Sequence, residues 1–250
     1  MTIPKVLIVS VDFDDLLAIT LPRNRRSFGH VLVATSPNSE AATRRVCESA
    51  NASLFVTDAF YRDGAKFNKG LAIEEGLDVL GRDGWILCLD ADVVLPAAWR
   101  IDLSRLDTQC LYGARRRVIE RIEEYTGQDD WGRYPIAPDR ELPGYLHLFH
   151  ASASALQKRP WVGVNWAHAG GYDSDFEKKF RPDNTRWLPY EVLHLGPTGT
   201  NWYGRSTPRI DGTVVHGSDQ HRNEMRVMRR IRRRTGRMDH ERVKSGEYGT

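Results

Sequence analysis

The chain has 250 residues, 40% of them hydrophobic and 10% aromatic, enough apolar side chain to bury a substantial core and a length suited to one large α/β domain. A formal net charge of +3 excludes a polyelectrolyte, although the sequence pI of about 8.8 conceals a basic stretch near the C-terminus. Three cysteines, Cys47, Cys88 and Cys110, widely spaced and odd in number, argue against a disulfide framework and predict a reduced, cytoplasmic protein.

The first apolar run, Val6 to Val11, ends at Asp12; it is too short for a secretion signal or a bilayer crossing and reads as a strand. No later window offers roughly 18 uncharged apolar residues, so any membrane contact is expected to be peripheral. Apolar, β-branched runs at 5–11, 30–35, 53–57, 85–89 and 109–114 alternate with helical patterns at 39–50 and 68–80, the signature of a parallel sheet covered by helices. In the second helix Ile73, Leu77 and Leu80 share a face, and Gly81 stops the element.

The fourth strand runs Trp-Ile-Leu-Cys-Leu into Asp90-Ala91-Asp92-Val93-Val94-Leu95. Side chains at i and i+2 of an extended chain point the same way, so Asp90 and Asp92 are expected to converge at the strand's carboxyl end, where open α/β sheets bind ligands. An isolated Asp-x-Asp also fits a solvated turn. The apolar residues on both sides favour a cation site, because charges amid buried surface need a partner.

Residues 116–149 form a loop-rich stretch with Trp131, Tyr134, Pro135, Pro138, Pro143, Gly144 and Tyr145, read as the acceptor side of a site; the plain alternative is a surface excursion packing its aromatics on the core. His147 and His150 lie three apart but have no cysteine or third ligand nearby, which discounts zinc. Between Arg222 and Arg242, nine arginines face three acidic residues, and Met225, Met228 and Ile231 recur at helical spacing. This predicts a basic C-terminal helix that attracts polyanions, with a solvated helical face or a disordered tail as the plain alternative. The expected division is 1–217 for the α/β domain and 218–250 for the basic tail.

Four segments in chain order resemble glycosyltransferase family 2 enzymes of the GT-A type, over roughly residues 5 to 205. Phe67-Asn68-Lys69-Gly70-Leu71-Ala72, with Glu75-Gly76-Leu77 following, is similar to the family's Lys-Gly-x-Ala helix start. Asp90-Ala91-Asp92 matches its metal motif. Gly170-Gly171-Tyr172-Asp173-Ser174-Asp175-Phe176 is similar to its Gly-Gly-Glu-Asp-x-Asp-Leu segment, and Val192-Leu193-His194-Leu195-Gly196 to the histidine that follows.

The resemblance implies a GT-A, nucleotide-diphospho-sugar transferase-like domain with a mostly parallel sheet, and an inverting transfer of sugar from a nucleoside-diphosphate sugar to an acceptor hydroxyl. It implies Mn2+ or Mg2+, with Asp92 on the metal, Asp90 on the metal or the donor ribose, and His194 as third protein ligand; the imidazole tilts the choice toward manganese. His216, in a second Val-Val-His-Gly context, rivals His194, whose distance from Asp173 matches the family better. Asp173 is the candidate general base, with Asp175 behind it; the other reading of Asp175 is a first-turn carboxylate opening a helix at 176–180. Tyr172 departs from the family's Glu, which bears on acceptor contacts. Ser10, Asp12 and Asp58 resemble the edge that contacts base and ribose, and Lys69 or Lys66 the diphosphate contact. The glycine-punctuated segment 196–205 resembles a lid, with Arg205 neutralising phosphate. Each of these softer assignments also fits a plain surface role.

Two further readings stand beside this one. A sugar nucleotidyltransferase ordinarily carries a glycine-rich, basic loop after the first strand, where Asp12-Phe13-Asp14-Asp15 stand instead. A nucleic-acid-binding protein on an inert GT-A-like scaffold would leave Asp90, Asp92, Asp173 and His194 without purpose. Under the leading reading the basic segment would hold a polyanionic acceptor, a hydroxylated nucleic-acid base or an anionic envelope glycan. Deleting everything after Ser218 is then expected to lower kcat/KM on hydroxymethylated duplex DNA or an anionic glycan by about tenfold at low salt while sparing neutral acceptors. Unchanged turnover on every acceptor would reject the polyanion.

Overall fold

Alternation along the first strand sets the layering of the whole molecule. A computed structural model describes residues 3–139, 141–181 and 183–215; His216 and the basic segment from Arg222 to Arg242 lie outside the described residues. Strand β1 (Lys5–Val9) sends Val6 and Ile8 into one apolar cluster, with Leu17, Leu21 and Cys47. It sends Leu7 and Val9 into another, with Ile73, Leu77 and Phe176. Helices α1 (Asp14–Asn24) and α2 (Glu40–Ser49) therefore cover one face, and α3 (Lys69–Leu80) and α4 (Tyr172–Lys178) the other. Each such aliphatic side chain, fully buried, contributes about 1.5–3 kcal/mol.

The other strands are β2 (Val31–Thr35), β3 (Ser53–Val56), β4 (Trp85–Asp90), β5 (Val93–Val94), β6 (Leu111–Ile119), β7 (Leu146–His150) and β8 (Thr185–Leu195). They join one eight-stranded sheet in the order β3-β2-β1-β4-β7-β6-β8-β5. The first four run parallel, as do β6 and β8, while β7 is antiparallel to both its neighbours and β5 antiparallel to β8. The expected α/β class with a mostly parallel central sheet is the one observed. No helix among the described residues is long and apolar enough to cross a membrane.

Several elements differ from the sequence reading. Strand β1 ends at Val9, and Asp12, at φ 63°, turns the chain into α1, a helix the pattern concealed because Pro22 interrupts it. Strand β8 carries Pro189, accommodated where the pairing with β6 skips from Gly113↔Trp187 to Arg115↔Glu191; a bulge is where a strand tolerates proline. Helix α4 begins at Tyr172, so both Asp173 and Asp175 stand in its first turn.

The helix that delivers Lys69 is fixed at its start. Asn68 accepts the Leu71 N–H at 3.0 Å through Oδ1 and donates through Nδ2 to the Val164 carbonyl at 2.7 Å, a side-chain cap. Two residues on, a Cβ at Gly70 would lie 1.9 Å from the Gly163 carbonyl oxygen and 3.1 Å from Tyr172 Cβ. Backbone, not a flexible side chain, fills that space. Gly70→Ala is expected to lower the unfolding free energy by about 2–3 kcal/mol in urea denaturation. An unchanged midpoint would contradict this packing.

Candidate active site

The register of the sheet assembles the site. Val9 and Asp90 pair at the carboxyl ends of β1 and β4, and the Asp90 N–H donates to the Tyr145 carbonyl at 2.9 Å. The chain then turns through Ala91 and Asp92 into β5, whose pairing Val93↔His194 brings His194 beside Asp92. The Leu195 N–H closes the turn on the Asp92 carbonyl at 2.8 Å.

His194 Nδ1 lies 2.9 Å from the Gly196 carbonyl. A carbonyl only accepts, so Nδ1 carries the hydrogen, and Nε2 faces Asp92 Oδ2 at 3.6 Å. Both side chains are 8% exposed, and Asp92 Oδ1 is buried with no hydrogen-bond partner among the described residues. An imidazole lone pair set against a buried carboxylate calls for a proton or a cation between them. A backbone acceptor on the other ring nitrogen is also how metal-binding imidazoles are oriented.

Asp90 has a different partner. Lys69, the first residue of α3, forms an ion pair with it, and the ammonium stands 5.2 Å from the Tyr172 ring centroid. Burial works to lower the Lys69 pKa, but the Asp90 charge and the Tyr172 hydroxyl outweigh it and hold the pKa above the ordinary lysine value. Among the described residues no group of three or more His, Cys, Asp or Glu converges to hold a metal ion. Asp92 and His194 thus fit a divalent cation, with one unpartnered oxygen and one oriented nitrogen, while the Asp90 carboxylate is engaged by lysine.

Asp173 accepts the Gly144 N–H at 3.1 Å through Oδ2 and the Ser174 N–H at 2.9 Å through Oδ1. The approach depends on glycine, since a Cβ at position 144 would sit 2.7 Å from Asp173 Cβ and 2.5 Å from the Tyr172 hydroxyl. A cleft of about 440 Å³ takes in Lys69, Asp90, Asp92, Asp173 and His194, bounded by Phe13, Tyr145 and residues 197–202. In its lining Arg116 Nη2 donates to Asp139 Oδ1 at 2.9 Å, with the guanidinium 4.4 Å from the Tyr145 ring centroid. Arg116 Nε and Asp139 Oδ2 are buried without partners among the described residues.

Other predicted positions lie apart from the cleft lining. Ser10 is fully buried, and Asp12 accepts a hydrogen bond from Ser39 Oγ at 2.6 Å; Val9, Val11 and Phe13 line the cleft at that edge instead. Asp58 pairs with Arg62 at the surface. Arg205, expected at the phosphates, stands outside the cleft lining. Its side chain is 1% exposed and commits all five N–H donors, to both oxygens of Asp15 and to the carbonyls of Asp12, Thr207 and Pro208. It anchors the 197–209 segment to the start of α1. Asp175 accepts the Trp166 indole N–H at 2.8 Å. His147 packs against Phe176, whereas His150 meets Trp85, so the two rings serve opposite faces of β7. The cysteines are buried and free; burial pushes the Cys47 thiol up to about 11 and the Cys88 thiol up to about 12.

Sequence reasoning missed Phe13 and Asp139. The 116–149 stretch had drawn attention to its aromatics and prolines, but a lone aspartate carries no local signal.

No family model matches the sequence, and no curated protein matches it either. The fold is similar to solved structures at low identity. Inositol-1-phosphate CTP transferase from T. maritima is 4% identical, over 79% of this chain and 91% of that one, with a TM-score of 0.49. The 4-diphosphocytidyl-2C-methyl-D-erythritol synthase from Anaerococcus prevotii is 11% identical, over 91% and 99%, at 0.42. Glucosyl-3-phosphoglycerate synthase from Mycobacterium tuberculosis, in complex with Mn2+, uridine diphosphate and phosphoglyceric acid, is 14% identical, over 46% and 43%, at 0.34. The chain spans less than half the length of that last structure. At these scores the likenesses decide neither substrate nor reaction, which must come from the residues of the cleft.

His147 adds a pH dependence. Burial holds its pKa below the ordinary 6.5, so the unfolded chain binds a proton that the folded one resists, and stability is full above that value and declines as pH falls through it. In urea titrations at pH 7 and pH 5, His147→Gln is expected to show a shallower loss of stability than the natural chain. An equal loss in both would show that other groups carry the slope.

Proposed function

We propose that the protein is a metal-dependent glycosyltransferase that moves a sugar from a nucleoside-diphosphate sugar to an acceptor hydroxyl, with inversion. The observation that carries this reading is the buried Asp92–His194 pair, with its unpartnered Asp92 Oδ1, in the same cleft as Asp173 and Lys69. Asp92 and His194 would hold Mn2+ or Mg2+, with Asp90 turned to the metal or the donor ribose. Such an ion, when bound, offsets the charge that gathers on the departing diphosphate.

The protein's own groups supply the rest. Lys69 places a second positive charge where the phosphates would lie, and residues 197–202 wall that side against water. Each Asp173 oxygen accepts one backbone N–H, which orients the carboxylate and leaves lone pairs free to take the acceptor's proton as its oxygen attacks the anomeric carbon. Arg116 and Asp139, in the same lining, offer one donor and one acceptor without partners among the described residues, suited to orienting the acceptor's hydroxyls. A polyanionic acceptor is the proposed complement of the basic C-terminal segment.

Sugar nucleotidyl transfer is the second reading. It is less suited to the turn after β1, where Asp14 and Asp15 stand and are neutralised by Arg209 and Arg205; a triphosphate would find no uncommitted cation in that pair of arginines.

Asp92→Asn is expected to abolish the thermal stabilisation that a nucleotide-sugar plus Mn2+ gives. Asp173→Asn is expected to keep that stabilisation while transfer falls by about 10²–10⁴-fold. Screening UDP-, GDP- and CDP-sugars against both variants checks this. Full transfer by Asp173→Asn would remove the base assignment, and unaltered donor binding by Asp92→Asn would remove the metal.

A further inference from the structure

We infer that the Lys69 ammonium is a built-in counter-ion that occupies Asp90 in the cleft shared with Asp92 and His194, and that it leaves Asp90 for the donor's diphosphate as the divalent ion arrives. The inference rests on the reading that Asp92 and His194 hold the ion. It answers a mismatch within the cleft: Asp92 has an oxygen with no partner among the described residues, whereas Asp90, two residues away in the same lining, is already neutralised by an ion pair.

The partial burial of the pair favours exchange of partners over simple separation. Lys69 and Asp90 side chains are 11% and 26% exposed, so either charge left alone would be poorly solvated and would draw in another partner. The backbone at Lys69 is held by the Asn68 cap and by the Gly70–Gly163 contact, so the helix start cannot withdraw to separate them. The side chain can. A lysine stem turns about four bonds and carries a compact charge with three donors, and the ammonium, 5.2 Å from the Tyr172 ring centroid while paired with Asp90, can keep that cation–π contact over a range of positions.

The consequence is a coupling between metal and nucleotide. With Lys69 on Asp90, a divalent ion entering alone meets one carboxylate, one imidazole and a repelling ammonium. A diphosphate entering with it takes up the ammonium and frees Asp90. Metal and nucleotide should therefore each tighten the other's binding, as linkage requires.

The test is a Mn2+ titration, read by the electron paramagnetic resonance of the free ion, on the full chain and on Lys69→Met, each without nucleotide and with UDP, GDP or CDP in turn. Lys69→Met is expected to bind Mn2+ alone about tenfold more tightly than the natural chain. The enhancement that the effective nucleotide gives should shrink by a similar factor. Lys69→Gln, which keeps a neutral hydrogen-bonding tip, is expected to behave like Lys69→Met and serves if the methionine variant does not fold. Equal or weaker Mn2+ binding by the folded lysine variant, with binding still abolished by Asp92→Asn, overturns the counter-ion role and leaves the metal site standing. Absence of any Asp92-dependent Mn2+ binding, with every nucleotide, instead removes the proposed function.

Discussion

A strand sealed on both edges and both faces can release charge only at its ends, and β4 is that strand. It is paired to β1 on one side and β7 on the other. Ile86 is fully buried in one apolar cluster and Leu87 nearly so in the other. The sequence after them turns abruptly acidic, so Asp90 and Asp92 emerge where the parallel strands end and the cleft opens. Every feature of the candidate site is set by what meets those carboxylates there.

What meets them differs from one to the next, and the differences separate their roles. Asp90 faces an ammonium, Asp92 an imidazole and a vacant hydrogen-bonding direction, Asp173 two backbone N–H groups, and Asp139 a guanidinium. Four carboxylates in one cleft would repel each other strongly if bare. Three are matched to a cationic or imidazole partner, and Asp173 is held by backbone dipoles that leave it able to accept a proton. The arginines at 205 and 209 do different work, stitching the 197–209 segment to Asp15 and Asp14 at the head of α1 and so fixing one wall of the cleft.

Much of this arrangement was legible along the chain, and the limits have physical causes. The parallel half of the sheet, the helix starting at Lys69 and the exit of Asp90 from β4 follow from local periodicity, which a single sequence displays directly. His194 could be chosen over other histidines only through the resemblance, because its neighbour Asp92 is brought to it by β5 pairing with β8. The surroundings of Arg205 were hidden for the same reason: in a glycine-punctuated segment it looks like a phosphate ligand, and its partner Asp15 is 190 positions away. Strands β7 and β8 stayed hidden because histidines and a bulged Pro189 break the alternation.

In the proposed reaction Asp92 and His194 grip one cation beside a nucleoside diphosphate. Anomalous diffraction from crystals grown with Mn2+ and a nucleoside diphosphate tests it most directly. A manganese peak between Asp92 Oδ and His194 Nε2, with a phosphate oxygen completing its shell, is the predicted result. A peak bound elsewhere, or an ordered diphosphate in the cleft with no metal between those two side chains, would contradict it.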